Sequence, residues 1–188
     1  MATIYLFRHG QSENNLKKVF TGWLETPLTE LGRQQADALG QMLKDKRIDI
    51  AYTTRLSRAS DTLKAVLKYH PECRQTIVDD HMLERSYGDF SGHPHAEIIE
   101  KYGQEAFDKW HRGWADRTPN GESFADVEVR VKEFIDMLRQ KYSGQDIHIA
   151  ISAHGNSIRL FRKIMENAAV EDTVSWTIPY DRYFEYEI

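Results

Sequence analysis

Two short apolar runs end in the same way. Thr3-Ile-Tyr-Leu-Phe7 leads directly into Arg8-His9-Gly10, and Ile147 to Ile151 leads through Ser152-Ala153 into His154-Gly155. A brief apolar run that stops at a glycine reads as a buried parallel strand followed by a loop. Between the two runs the pattern alternates. Thr29 can cap a helix whose apolar face is Leu31, Ala38, Leu39, Met42 and Leu43. Ile48 to Tyr52 reads as a second strand, and a helix follows from about Leu56 with Ala59, Leu63, Val66 and Leu67 on one side. Thr76-Ile-Val78 is the expected third strand. Residues Leu83 to Pro94 form a glycine-broken loop, with helical stretches around Ala96–Tyr102 and Glu105–Trp114. Beyond the turn signal Pro119-Asn-Gly121, helical spacing links Phe124, Val127, Val131, Phe134, Ile135 and Leu138. Asn156 can cap a helix that buries Ile158, Phe161, Ile164 and Met165, and strand-like pieces around Val174–Ile178 and Tyr183–Ile188 close the chain. Residues 10 to 27 read as polar loop. This alternation predicts an α/β three-layer sandwich, a mainly parallel central sheet flanked by helices, as a single domain over residues 1–188.

Composition narrows the function classes. Of 188 residues, 25 are Lys or Arg and 29 are Asp or Glu, a net charge of −4 that disfavours a nucleic-acid partner. Cys73 is the one cysteine, which excludes an internal disulfide framework and a cysteine zinc cluster. No apolar run approaches the roughly 20 residues of a membrane span, and residues Met1 to Phe7 lack signal-peptide features. The expectation is a soluble, cytoplasmic protein with neither a membrane nor a nucleic-acid partner.

The chemistry gathers at strand ends, because ligands of an open α/β sheet sit beyond the carboxyl ends of its strands. His9 and His154 should share one rim, joined by Arg8 and by Arg58 from the loop after the second strand. That is a cationic nest suited to a phosphoryl group, with an imidazole as nucleophile. Glu84, on the glycine-broken loop, is the best-placed carboxyl group to protonate a leaving oxygen, with Asp79, Asp80 and Asp89 as neighbours. His81, His93, His95 and His111 lack metal-ligand spacing, so no metal is expected. Trp110 and Trp114 read as packing residues of one helix, and Lys17-Lys18 as a solvated pair on the entry loop.

These residues resemble the histidine phosphatase superfamily and, within it, the cofactor-dependent phosphoglycerate mutases. The superfamily marks are Arg8-His9-Gly10, Arg58 within Ser-Arg-Ala-Ser-Asp-Thr, Glu84, and His154-Gly155. Marks of the mutase branch are Asn15, Phe20-Thr-Gly-Trp23, Leu83-Glu-Arg85 with Tyr87-Gly88, Lys101-Tyr-Gly103, Pro119-Asn-Gly-Glu-Ser123, and Ala153-His-Gly-Asn-Ser-Ile-Arg159. The resemblance implies that His9 is the phosphorylated nucleophile and Glu84 the general acid and base. Arg8, Asn15, Arg58, His154 and the Gly155 backbone then belong to the phosphoryl pocket, and Asn156 is a further substrate-binding residue. Thr21, Gly22, Arg85, Tyr87 and Arg112 would hold the carboxylate and second phosphate of a glycerate. The implied activity interconverts 3-phosphoglycerate and 2-phosphoglycerate in glycolysis and gluconeogenesis, primed by 2,3-bisphosphoglycerate without a metal, in a monomer or small homo-oligomer. The alternative it leaves open is a phosphatase acting on a phosphoglycerate or other small phosphomonoester.

Two positions depart from the mutase pattern. His95 stands where that pattern has a lysine, and Trp110-His111-Arg112 stands where it has paired arginines after a tryptophan. If both histidines reach the pocket with an ordinary pKa near ~6.5, they supply charge only in mild acid. The ratio of mutase to phosphatase flux would then rise as the pH falls from about 8 to about 6.

Overall fold

A computed structural model describes residues 1–188. Its strands are β1 (Thr3–Arg8), β2 (Ile50–Thr53), β3 (Gln75–Val78), β4 (His148–Ala153) and β5 (Tyr183–Glu187). They form one sheet in the order β3-β2-β4-β1-β5, parallel except for β5, which pairs antiparallel with β1. The helices are α1 (Glu13–Leu16), α2 (Glu30–Leu43), α3 (Ser57–Leu67), α4 (His95–Tyr102), α5 (Gln104–Arg112), α6 (Phe124–Tyr142), α7 (Gly155–Glu166) and α8 (Val170–Ser175).

Strand alternation divides the core between the two faces of the sheet. Tyr5 and Phe7 of β1 pack with Leu39 and Leu43 of α2 and with Leu63 and Val66 of α3. Ile4 and Leu6 face the other way, into a cluster with Val127, Val131 and Phe134 of α6 and Ile158 and Phe161 of α7. The expected sandwich is therefore present. Its layout also positions a site. β1 and β4 are adjacent, yet the helices that follow them, α2 and α7, lie on opposite faces of the sheet. Such a switch opens a crevice beyond the strand ends. A third apolar cluster, with Phe20, Tyr87, Phe90, Ile98 and Phe107, carries α4 and α5.

Several elements differ from expectation. The inner face of α2 is Gly32, Ala36, Leu39, Gly40 and Leu43, while Leu31 and Met42 are exposed. Small residues win there because α2 lies against backbone: a Cβ on Gly10 would come 2.2 Å from the Gly32 carbonyl oxygen. Helix α7 is capped by His154, and Asn156 is already inside its first turn. The stretch read as a strand around Val174–Ile178 is instead the end of α8 and an extended coil. The polar stretch after Gly10 contains α1, closed by a capping box in which Ser12 and Asn15 bond reciprocally. Trp110 and Trp114 do not share a helix face, because α5 ends at Arg112. Trp110 joins the Phe20 cluster, whereas Trp114 stacks on Phe124 of the main core.

Candidate active site

The register of β1 and β4 sets the centre of the site. Arg8 pairs with Ala153, and the His9 amide donates to the Ala153 carbonyl at 3.0 Å. The two histidines thus leave neighbouring strands at the same level, and their ring centroids lie 5.1 Å apart. Both are buried, His9 at 2% and His154 at 0% exposure.

The hydrogen bond of His9 fixes its tautomer. Its Nδ1 lies 2.7 Å from the Gly10 carbonyl oxygen. A carbonyl only accepts, so Nδ1 carries the proton and Nε2 keeps the lone pair. Burial first, then the charges of Arg58 and Arg8, hold the His9 pKa well below its ordinary value. The ring is neutral at neutral pH, which a nucleophilic nitrogen requires. His154 is kept neutral by burial, by Arg58 and by His9, and its Nε2 lies 2.8 Å from the hydroxyl of Thr54 at the end of β2.

Beyond His9 opens a cavity of about 240 Å³. Arg8, Asn15, Arg58 and Glu84 line its inner part, together with Gly155 and Asn156 at the start of α7. Arg58 is buried, which lowers its pKa to about 10, and it donates to the carbonyls of Gly22 and Leu24 at 2.7 and 2.8 Å. It therefore ties the 20–27 loop to the site. Gly22 has a φ of +52°, a backbone shape that glycine adopts without penalty. Asn15 accepts the Ser12 amide and hydroxyl on its Oδ1, which leaves its N–H groups to the cavity. Glu84 accepts the backbone amides of Arg85 at 2.7 Å and Asn156 at 3.2 Å, so its carboxylate sits at the N-terminus of α7.

The outer wall includes Thr21, Gly22, Tyr87, His95, His111 and Arg112. Both departures from the mutase pattern therefore do reach the cavity. They do not carry the expected charge. Burial and the Arg112 guanidinium push the His111 pKa down to about 3 and lower that of His95, which also feels Lys18. The rings pack, tilted, into an aromatic group, with centroid distances of 4.3 Å from Phe20 to His95 and 5.0 Å from Phe107 to His111.

His154, with no exposed surface, is not in the cavity lining although its ring lies beside that of His9, and Arg85 does not line the cavity either. Arg85 is fully buried, it donates to the carbonyls of Glu122 and Asp116, and it lies between the rings of Tyr87 and Phe124. Sequence reasoning missed six residues that do line it, Asn14, Lys18, Val19, Phe20, Arg159 and Thr177. Lys18 looked solvated, but its φ of +53° marks a constrained backbone, and its carbonyl accepts the His95 amide. Arg159, the last residue of the Ala153–Arg159 motif, donates to Asn156 Oδ1 at 2.6 Å and to the Trp176 carbonyl at 2.9 Å. Asn156 in turn donates to the Tyr87 hydroxyl at 3.0 Å. Five cations and one carboxylate thus face one cavity in a protein of net charge −4. Such a cavity attracts a multiply charged anion.

The geometry offers a neutral imidazole nucleophile among fixed cations, with a carboxylate within the same cavity. Comparison with known proteins gives a consistent picture. The profile of the histidine phosphatase superfamily (branch 1) matches residues 4–183. The 2,3-bisphosphoglycerate-dependent phosphoglycerate mutase of Bartonella henselae is 38% identical over 176 residues, covering 92% of this chain and 85% of that protein. Among solved structures, YhfR of Bacillus stearothermophilus superposes with a TM-score of 0.89 at 27% identity, covering 100% of this chain and 92% of the other. The alpha-ribazole phosphatase of Shigella flexneri superposes with a TM-score of 0.83 at 26% identity, covering 99% and 90%.

Proposed function

The chain belongs to branch 1 of the histidine phosphatase superfamily, and from that premise we propose that it interconverts 3-phosphoglycerate and 2-phosphoglycerate through a phosphohistidine at His9. The observation that carries the reading is the pinned tautomer of His9: Nδ1–H held by Gly10 leaves Nε2 as the attacking atom. In the priming step Nε2 forms a bond to phosphorus of 2,3-bisphosphoglycerate as the P–O bond to the glycerate breaks. Glu84 delivers its proton to the departing alkoxide. In turnover the same carboxylate takes the proton from a substrate hydroxyl while that oxygen attacks the phosphohistidine. The bisphosphorylated glycerate then returns its other phosphoryl group to His9. Arg8, Arg58 and His154 supply preorganised donors for the equatorial oxygens. The distal anion meets Arg112 on the outer wall.

A second reading is a phosphatase, in which water intercepts the phosphohistidine. It is favoured by the neutral His95 and His111, which weaken retention of a bisphosphorylated intermediate, and by the alpha-ribazole phosphatase among the structural relatives. Phosphorus NMR of the protein with 3-phosphoglycerate, with and without 2,3-bisphosphoglycerate, separates them. Growth of 2-phosphoglycerate that depends on the primer supports the mutase, and inorganic phosphate as the sole product supports the phosphatase. No change in either sample refutes both.

A further inference from the structure

The coil between α8 and β5 is held over the site by two cavity-lining arginines. Arg159 donates to the Trp176 carbonyl at 2.9 Å, and Arg8 donates through Nη1 to the Ile178 carbonyl at 2.8 Å. Thr177, between those two carbonyls, lines the cavity. Two residues further on, the ring of Tyr180 covers the Arg8 guanidinium, with Cζ 4.1 Å from the ring centroid. The same ring lies 6.5 Å from that of His9. The guanidinium also rests on the start of α7, where a Cβ at Gly155 would come 3.4 Å from Arg8 Cζ. Arg8 is thus fixed by a carbonyl, by the backbone of α7 and by an aromatic ring. Its Nη1 is committed to Ile178 and its Nε is buried, so Nη2 is the donor left to the cavity.

We propose that Tyr180 is a positioning residue for phosphoryl transfer: its ring sets the plane of the Arg8 guanidinium so that Nη2, the nitrogen without a protein partner on the cavity side, faces the transferring group. A planar guanidinium that can rotate must be ordered at each encounter with the anion, whereas one held by a ring and a glycine backbone is already ordered. The strap from Trp176 to Tyr180 therefore forms part of the phosphoryl pocket. The proposal rests on the reading of His9 as the phosphoryl acceptor. The Tyr180 hydroxyl has no partner in the strap or the pocket, so the ring is the operative part.

The test compares Tyr180→Leu with Tyr180→Phe. Loss of the ring should weaken binding of orthovanadate and inorganic phosphate about three- to tenfold, the range spanned by a partly desolvated cation–π contact. The kcat on p-nitrophenyl phosphate should fall by a similar factor, and Tyr180→Phe should restore both. Nitrogen–proton NMR of the arginine side chains gives an independent reading. The Arg8 Nε–H resonance should lose its ring-current shift in Tyr180→Leu, and its response to phosphate should weaken. Equal behaviour of the Leu and Phe variants, or an Arg8 resonance indifferent to Tyr180→Leu, overturns the proposal. Its fate separates from that of the mutase reading. Phosphate affinity that depends on the ring, in a protein without mutase turnover, removes only the latter. Mutase turnover and phosphate affinity both unchanged in Tyr180→Leu remove only the former.

Discussion

Keeping imidazoles neutral inside the site should make the fold acid-sensitive well above the pH at which carboxylates protonate. His9 and His154 have folded pKa values well below the ordinary value, and that of His111 is about 3. The unfolded chain takes up these protons near pH ~6.5 and the native state does not, so stability rises with pH through that region and levels off above it. By linkage, each such histidine contributes about 1.4 kcal/mol of destabilisation at pH ~5.5 and almost none at pH ~7.5. With His111 discounted for its partial exposure, the three together amount to about 3–4 kcal/mol between those conditions. His95 shifts in the same direction and adds to the slope. Carboxylates with depressed pKa values do not enter this window. Asp126, near 2, loses its contribution only far below it, and Glu72 and Glu166 lose theirs as pH falls through their own depressed values. Urea titrations followed by tryptophan fluorescence should therefore show the midpoint falling by about 1–2 M from pH ~7.5 to pH ~5.5 at constant m. His111→Phe, placed beside Phe20 and Phe107, should lower the pH slope by up to about 1.4 kcal/mol per unit, whatever it does to absolute stability. A midpoint that stays level across this range, or a slope that His111→Phe leaves intact, would refute the burial argument.

Four further outcomes follow from the site. His9→Asn should abolish formation of an acid-labile, alkali-stable phosphoprotein together with turnover, and labelling that persists at another residue would remove His9 as the nucleophile. Glu84→Gln should lower phosphoglycerate turnover by about 10²–10⁴ while sparing much of the rate on p-nitrophenyl phosphate, whose leaving oxygen needs no proton; equal losses on both would make the carboxylate a mere cap on α7. Gly10→Ala forces a Cβ to within 2.2 Å of the Gly32 carbonyl and should cost several kcal/mol in urea melts, about the overpacking range or more; a change under about 0.5 kcal/mol would mean that α2 can yield. Because the His111 pKa is pushed down to about 3 and burial lowers that of His95, acid should charge these rings less than an ordinary imidazole, so the mutase-to-phosphatase flux ratio should change little from pH ~8 to ~6, and His95→Lys with His111→Arg should raise it at both pH values; a wild-type ratio that climbs steeply in acid would restore the charged-histidine expectation.

Much of the fold could be read because strand and helix signals were strong and local. The runs before His9 and His154 are too short and too apolar for anything but buried strands, and β4 lies between β1 and β2 as parallel pairing demands. The face of α2 was misread for a physical reason. Counting apolar side chains favours Leu31 and Met42, but where a helix lies against close neighbours the absence of a side chain is the packing signal, and it is carried by Gly32 against the Gln11 backbone and by Gly40 against the Tyr69 ring. The coil at Trp176–Ile178 looked like a strand because apolar Val174, Trp176 and Ile178 alternate with Ser175 and Thr177. It is extended without a strand partner, since the arginines of the site bind its carbonyls instead.

The site was legible to the extent that its residues follow directly from strand ends. His9, Arg8 and His154 are placed by register, and Arg58 by the first turn after β2. Residues that reach the cavity from farther away were not legible, because their position depends on contacts between distant segments. Arg159 is seen only once α7 is set against the strap. Lys18 is seen only once its backbone turns left-handed against the His95 amide. Arg85 shows the converse: it lies in a matching motif, yet two distant carbonyls, of Asp116 and Glu122, hold its side chain behind Tyr87. Charge state is the least legible property of all. His95 and His111 have an ordinary pKa as letters in a sequence. Once Phe20 and Phe107 enclose them and Arg112 stands beside them, protonation would place further positive charge in a cavity already lined by five cations. Neutral rings in place of permanent cations leave Arg112, Arg159 and Lys18 as the cations nearest to them in the cavity lining, and under the proposed reading those three are where retention of a second anionic group has to be sought.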